Sequence, residues 1–347
     1  MLYVTTRSKM DAETVSKALS SDRGQDGGWY IPMQMPAFLQ EQLADLTNKP
    51  FWEVVAEILN LFFSGRLTAE DLDLSLGQNC IGFTQMSHRI VVAEAWRNVE
   101  RDYAYIQQQL AWKVCDSLGC SRRLTSWLRI AVRLSLLFGV FAQLTQTGVL
   151  TQGQVVDISV AAEDFSAVMS FWYGRMMGLP IGKIICSCNE NSGAWDLLHL
   201  GELHTNTSVT HTSTPLCDLA FPLELERLIH GAVGCEEASV FAKRAADGLL
   251  YRPEEQTAAA IRKGMFAAVV SRSRMDALIP SVYRTNSYIL GTYTALAYGG
   301  LMDYRAKTGE SGPAMIWAER SPDCDREVVA EAMQVSVQEL FHKLNKM

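Results

Sequence analysis

A chain of 347 residues, 48% apolar and 20% charged, is long enough to bury a large core, and a prior of roughly 150 residues per domain suggests about two domains. A formal charge of −7 without any basic run excludes an electrostatic nucleic-acid surface. The most apolar stretch, Trp127–Leu144, is interrupted by Arg129 and Arg133, so it reads as a buried helix and not a membrane span, and the start MLYVTTRSKMDAETV holds no apolar signal core, so a cytoplasmic protein is expected.

In chain order, Ala12–Leu19 is helix-like, and Asp26-Gly27-Gly28 makes a turn into the short strand Trp29-Tyr30-Ile31-Pro32. Pro36–Leu46 and Pro50–Phe63 read as helices with prolines near their starts; the second sets Phe51, Val54, Val55, Ile58, Leu59 and Phe62 on one broad face. Thr68 with Asp71 three residues on is a capping-box start for another short helix. Residues 155–198 form a strand–helix–strand unit. Val155–Val160 is apolar and partly β-branched, Phe165–Met177 repeats apolar residues at helical spacing, and Lys183–Cys188 follows a Gly178-Leu179-Pro180 turn. Such a crossover implies a parallel sheet, with a ligand crevice at the carboxyl ends of the strands. Leu228–Phe266 is helical, and Arg326–Leu344 is a terminal helix packing Val328, Val329, Met333, Leu340 and Phe341.

The eight cysteines follow no Cys-x-x-Cys spacing. Cys186 and Cys188 share one strand face and could serve zinc, but buried free thiols are the expectation, and no metal site is assigned. His199, His204 and His211 fall in a polar Thr/Ser-rich loop, where solvent or local hydrogen bonds are their default partners.

Several segments carry a resemblance. Tyr3-Val4-Thr5-Thr6-Arg7 with Asp26-Gly27-Gly28-Trp29-Tyr30-Ile31-Pro32, the run MGLPIGKIICSCNEN from Met177, Thr210–Asp218 and Pro222–Leu228 all resemble threonine synthases, pyridoxal-phosphate enzymes of fold type II. The fold implied is α/β: a three-layer large domain on a parallel sheet with a helical amino-terminal region. The resemblance implies that residues 1–90 are that mostly helical region and 91–347 the large domain. The small substrate domain is expected to be missing near 120–125, where Arg122-Arg123-Leu124-Thr125 leads straight into Ser126-Trp127-Leu128-Arg129-Ile130.

The chemical positions depart from the family. Laid on its cofactor-lysine segment, Glu94–Tyr105 puts Ala104 at the lysine and Tyr105 at the following aspartate, and a methyl group forms no imine. Lys113, nine positions along the same helix, lies about 13 Å away, Lys183 matches a non-catalytic lysine, and Arg97 and Arg101 are the only cations nearby in sequence. The family's phosphate loop becomes Glu163, Asp164, Phe165, Ser166 and Ala167, which removes both glycines and adds two carboxylates. A carboxylate about 4 Å from a phosphate costs roughly 4 kcal/mol at an effective dielectric near 20. The two acids equally suit the first turn of a helix. Tyr293 replaces a histidine, and Trp317 and Ala318 occupy the region of the threonine that faces the pyridine nitrogen.

A non-catalytic threonine synthase-like pseudoenzyme is therefore expected, with no catalytic residue and no cofactor bound. It would act as a homo-oligomer or with a protein partner, without nucleic acid or membrane. Two alternatives remain open. The remnant cleft of Tyr103, Tyr105, Glu163, Asp164, Ser166, Asn189 and Tyr293 does new acid–base chemistry or binds an amino-acid-like ligand, or a residual pyridoxal-phosphate enzyme survives.

Overall fold

The structure is a computed structural model that describes residues 1–72, 81–97 and 103–347. Arg101, expected as a nearby cation, lies outside these residues. At the amino end, β1 (Leu2–Thr5) pairs antiparallel with β2 (Glu13–Thr14) on one side and β3 (Tyr30–Pro32) on the other. The region expected to be mostly helical thus opens with a small sheet, because Tyr3, Val4, Tyr30 and Ile31 bury apolar side chains that helix propensity does not weigh. Helices Gln40–Leu46 and Phe51–Phe63 follow as expected, and the Thr68 hydroxyl and amide meet the Asp71 carboxylate at 2.9 and 2.8 Å in a capping arrangement.

The main sheet is built from β4 (Gly82–Ser87), β5 (Ile90–Glu94), β6 (Val156–Ala161), β7 (Ile181–Cys188), β10 (Met265–Val269) and β11 (Ala314–Ala318). Two short strands, β8 (Leu203–His204) and β9 (Leu250–Tyr251), pair separately. The order is β10-β7-β6-β11-β5-β4, parallel except for β4, which pairs antiparallel with β5. The β4–β5 hairpin straddles residue 90, where the first region was expected to end. Its register matches Phe83 to Ala93 and Thr84 to Val92, which places β4 in the large sheet.

Strands IVVAE and AMIWA are apolar on both faces because both faces are covered. Val91, Ala93, Met315 and Trp317 enter one core together with the Ser126–Gln146 helix, and Ile90, Val92, Ala314 and Ile316 enter the other. That helix is long and apolar enough to cross a membrane, yet 89% of its apolar window is buried inside the protein. Its Gly139 lets the Phe51 ring approach so closely that an added Cβ would stand 2.6 Å from it. Helix Tyr103–Ser117 connects to it through a short turn in which Asp22 accepts the Ser126 amide at 2.6 Å.

Chain order runs β6, β7, β10 outward to one edge and then returns to insert β11 between β6 and β5. After β6 the chain enters the Ser166–Met176 helix on one face; after β11 it enters the Arg326–Met333 and Val337–Leu344 helices on the other. The carboxyl ends of β6 and β11 therefore form the crevice where an open α/β sheet places ligands.

Candidate functional site

Arg129 and Arg133 lie one turn apart on the Ser126–Gln146 helix and both turn toward this crevice. Arg133 donates from Nε to Glu319 Oε1 and from Nη2 to Oε2, each at 2.8 Å, and from Nη1 to Ser166 Oγ at 2.5 Å. Its guanidinium lies 5.7 Å from the centre of the Tyr103 ring, and Trp317 Nε1 donates to Glu319 Oε1 at 2.8 Å. Burial works against the Arg133 charge, but Glu319 outweighs it and holds the guanidinium well above its ordinary pKa.

Arg129 donates from Nη1 to Asp164 Oδ2 at 2.9 Å. Asp164 Oδ1 accepts from the Ser166 amide at 2.9 Å and also from the Ser166 hydroxyl. Burial would raise this carboxyl, yet Arg133, the two Ser166 hydrogen bonds and Arg129 together hold it below the usual carboxylate range. Phe165, which caps the helix between them, is in the left-handed region at φ 69° and fully buried. For a residue other than glycine that conformation costs about 1–2 kcal/mol, which the buried ring must offset.

Glu163 and Arg320 complete the crevice. Among the described residues neither side chain has a hydrogen bond or ion pair, although Arg320 lies 5.3 Å from the centre of the Tyr293 ring. Burial pushes Glu163 up to about 7, helped by Glu319 and opposed by Arg133 and Arg320. Tyr293 accepts the Leu216 amide at 3.2 Å, which brings Cys217 alongside. Burial, with Glu163 next in weight, drives that thiol far above its usual value, so it is no nucleophile at neutral pH.

The expected cleft is thus only partly assembled. Tyr103, Glu163, Asp164, Ser166 and Tyr293 converge. Ala104 is exposed in the first turn of its helix, and Tyr105 is half-buried on the same turn. Asn189 is committed elsewhere: its amide donates to Asp218 at 2.7 Å, Thr212 at 2.8 Å and Thr214 at 3.0 Å, which clamps the loop after the π-helical turn. Arg97, expected as a nearby cation, binds the fully buried Glu94, which also accepts from Tyr288 at 2.7 Å and Thr84 at 3.1 Å. His199 is not in a polar loop. It belongs to the π-helical turn Asp196–Leu200 and stacks on Trp195 at 4.9 Å, because the chain packs that turn against the β10 edge. Cys186 and Cys188 are buried and free, and no group of metal-ligating side chains occurs among the described residues.

Sequence reasoning missed Arg133, Glu319, Arg320 and Cys217. The signal available was a pair of arginines four apart in a helix with no other charge, which in a buried helix demands acidic partners.

Comparison with known proteins gives the same picture at three levels. A family profile described as "Threonine synthase N terminus" matches residues 2–78. Human "Threonine synthase-like 1" is 24% identical over 176 residues, covering 50% of this chain, which spans 24% of that protein. Threonine synthase of Pseudomonas aeruginosa is 27% identical over 399 aligned positions, covering 85% of this chain and 83% of that protein. In structure, the chain superposes on PLP-bound threonine synthase of Brucella melitensis with a TM-score of 0.82 at 19% identity, over 96% of this chain and 92% of that one. Yeast threonine synthase gives 0.80 at 16% identity, over 100% and 94%. The chain is thus similar in sequence to threonine synthases and has their fold, the α/β fold type II.

Proposed function

We propose that this chain is a non-catalytic member of its family, working in the cytoplasm as a binding or partner subunit, with the small substrate domain absent between the Tyr103–Ser117 and Ser126–Gln146 helices. The observation that carries this reading is Ala104. It stands in the first turn of the helix that follows β5, at the position assigned to the cofactor lysine, and it presents a methyl group to solvent. An imine needs an amine at that place, and nothing else in the side-chain repertoire supplies one. Lys113 cannot substitute, since it lies further along the same helix beside Asp71 and Asp116.

The rest of the crevice does not fit pyridoxal phosphate either. Arg129 and Arg133 are taken by Asp164 and Glu319, and the loop after β6 offers two carboxylates to a phosphate. Trp317 fills the end of β11 with an indole locked to Glu319.

The test is an absorbance titration of the purified protein with pyridoxal phosphate, then borohydride reduction and intact mass. No imine band and no mass increment are expected; a band with the increment on one lysine would overturn the reading. The partner role is tested by light scattering. A monomer mass at high concentration with no partner recovered would remove it.

A second reading rests on Glu163 and Arg320, opposite charges that share the crevice without pairing. Their charges suit the ammonium and carboxylate of an amino-acid-like ligand. Thermal-shift screening tests this, with stabilisation by one or a few amino acids expected, and a flat response across all of them counting against it.

A further inference from the structure

We infer that Cys115 and Cys120 are a modification site, a thiol pair that low-molecular-weight disulfides convert reversibly into an intramolecular disulfide at the end of the Tyr103–Ser117 helix. The inference stands apart from the non-catalytic reading above, since neither cysteine belongs to the crevice.

The helix ends in a Schellman turn. Gly119 takes a φ of 62°, its amide donates to the Asp116 carbonyl at 3.1 Å, and the Cys120 amide donates to the Cys115 carbonyl at 3.0 Å. In such a turn the residue after the glycine packs on the residue five positions before it, a contact that apolar side chains usually make. Here both contact positions are cysteines. With standard bond lengths at either end, a 3.0 Å bond from the Cys120 amide to the Cys115 carbonyl leaves the two Cα atoms no more than about 7 Å apart, the outer limit that a disulfide spans. The side chains meet as well, since Cys115 shares a thiol hydrogen bond with Cys120.

The segment beyond the turn is strapped back onto the helix. Arg122 donates from Nε to Asp116 Oδ1 at 2.9 Å and from Nη2 to Oδ2 at 2.7 Å, and its guanidinium lies 5.4 Å from the centre of the Trp112 ring. The positive φ of Gly119 before Cys120 and the Arg122 strap after it hold the two thiols together before any oxidant arrives. Both are free in this structure.

The two thiols divide the chemistry. Cys115 is fully buried and Cys120 half-buried, so Cys120 meets the reagent. Its thiolate attacks one sulfur of the incoming disulfide and expels a first small thiolate, which leaves a mixed disulfide on Cys120. The Cys115 thiolate then attacks the Cys120 sulfur and expels the second small thiolate. In sum the protein gives up two electrons and two protons, and one small disulfide becomes two thiols. Burial, with Cys115 and Asp116 adding to it, pushes the Cys120 thiol up to about 11, so the first step is slow at neutral pH and gains about tenfold per pH unit. The second step is intramolecular and follows at once.

The test uses the full chain at pH 8.5 in buffers of oxidised and reduced glutathione at several ratios, quenched with acid and digested with trypsin. The peptide Val114–Arg122 contains both cysteines and no other, so it reports on this pair alone. It should lose the mass of two hydrogens in wild type and regain it with dithiothreitol, and Cys115→Ser should stop at a glutathione adduct on Cys120. Gly119→Val keeps both thiols but penalises the left-handed turn, and should lower the equilibrium constant for closing the disulfide roughly five- to thirtyfold. A wild-type peptide that stays a dithiol at every ratio, or that carries only a stable glutathione adduct, would overturn the inference, and both results are read without any variant having to fold. An equilibrium constant unchanged by Gly119→Val would overturn it too, because the turn would then not be what joins the pair.

Discussion

Arg133 and Glu319 meet in a two-pronged ion pair, both contacts at 2.8 Å, that joins the middle of the Ser126–Gln146 helix to the residue just past β11. Both side chains are largely removed from solvent, at 8% and 13% exposure. Taking away one partner leaves a buried charge alone. Arg133→Ala should destabilise the fold by about 3–5 kcal/mol, whereas Arg133→Met with Glu319→Leu should cost much less than the single change. Urea unfolding of the singles and the pair, read as a double-mutant cycle, checks this; an additive cycle would mean that the pair does not couple.

Glu163 makes stability depend on pH. Its folded pKa of about 7 stands above the ordinary 4.5, so between these values the folded state binds a proton that the unfolded chain has released. The contribution is full below pH 4.5 and is lost as the pH rises through 7. Glu163→Gln should remove that slope, gaining about 1–3 kcal/mol over wild type at pH 8 and little at pH 4.5. Chemical denaturation across this range measures it, and parallel profiles for the two proteins would refute the assignment.

Gly139 sets two effects against each other. Alanine in a helix interior is favoured over glycine by about 1 kcal/mol, but here the added methyl would sit 2.6 to 3.0 Å from three atoms of the Phe51 ring. Overpacking a closed core costs about 1–3 kcal/mol, so Gly139→Ala should lower the melting temperature. Adding Phe51→Leu should recover part of the loss. A higher melting temperature for the single variant would show that the ring has room to move.

Glu226 ties the amino-terminal sheet to the large domain. It accepts from Arg7 Nε at 3.0 Å and Nη2 at 2.9 Å, and from the Thr6 hydroxyl, with only 5% of its side chain exposed. Glu226→Ala should cost about 2–3 kcal/mol and speed hydrogen exchange selectively in β1 and β3. Uniform exchange across the whole chain would mean that the sheet does not open as a separate unit.

The unit at residues 155–198 shows what local reasoning reaches. Apolar runs and a helical repeat gave both strands and the helix within a residue or two, because backbone sterics and the faces to be buried act over neighbouring residues. The methyl group of Ala104 and the carboxylates of Glu163 and Asp164 were legible for the same reason, since each is a property of one residue. The short β1–β3 sheet was not, because its strands gain their stability from partners far along the chain.

The state of the crevice was decided by the tertiary structure alone. Sequence made Asp164 a repellent for phosphate and left Arg129 a mere interruption of an apolar helix. The fold brings them to 2.9 Å across 35 residues, and Arg133 to Glu319 across 186. Charge pairing depends on which loops the sheet order carries to the same strand ends, and no local propensity encodes that order. Sequence determined which chemical groups this chain has; the insertion of β11 beside β6 determined which of them neutralise one another and which, Glu163 and Arg320, remain unpaired among the described residues.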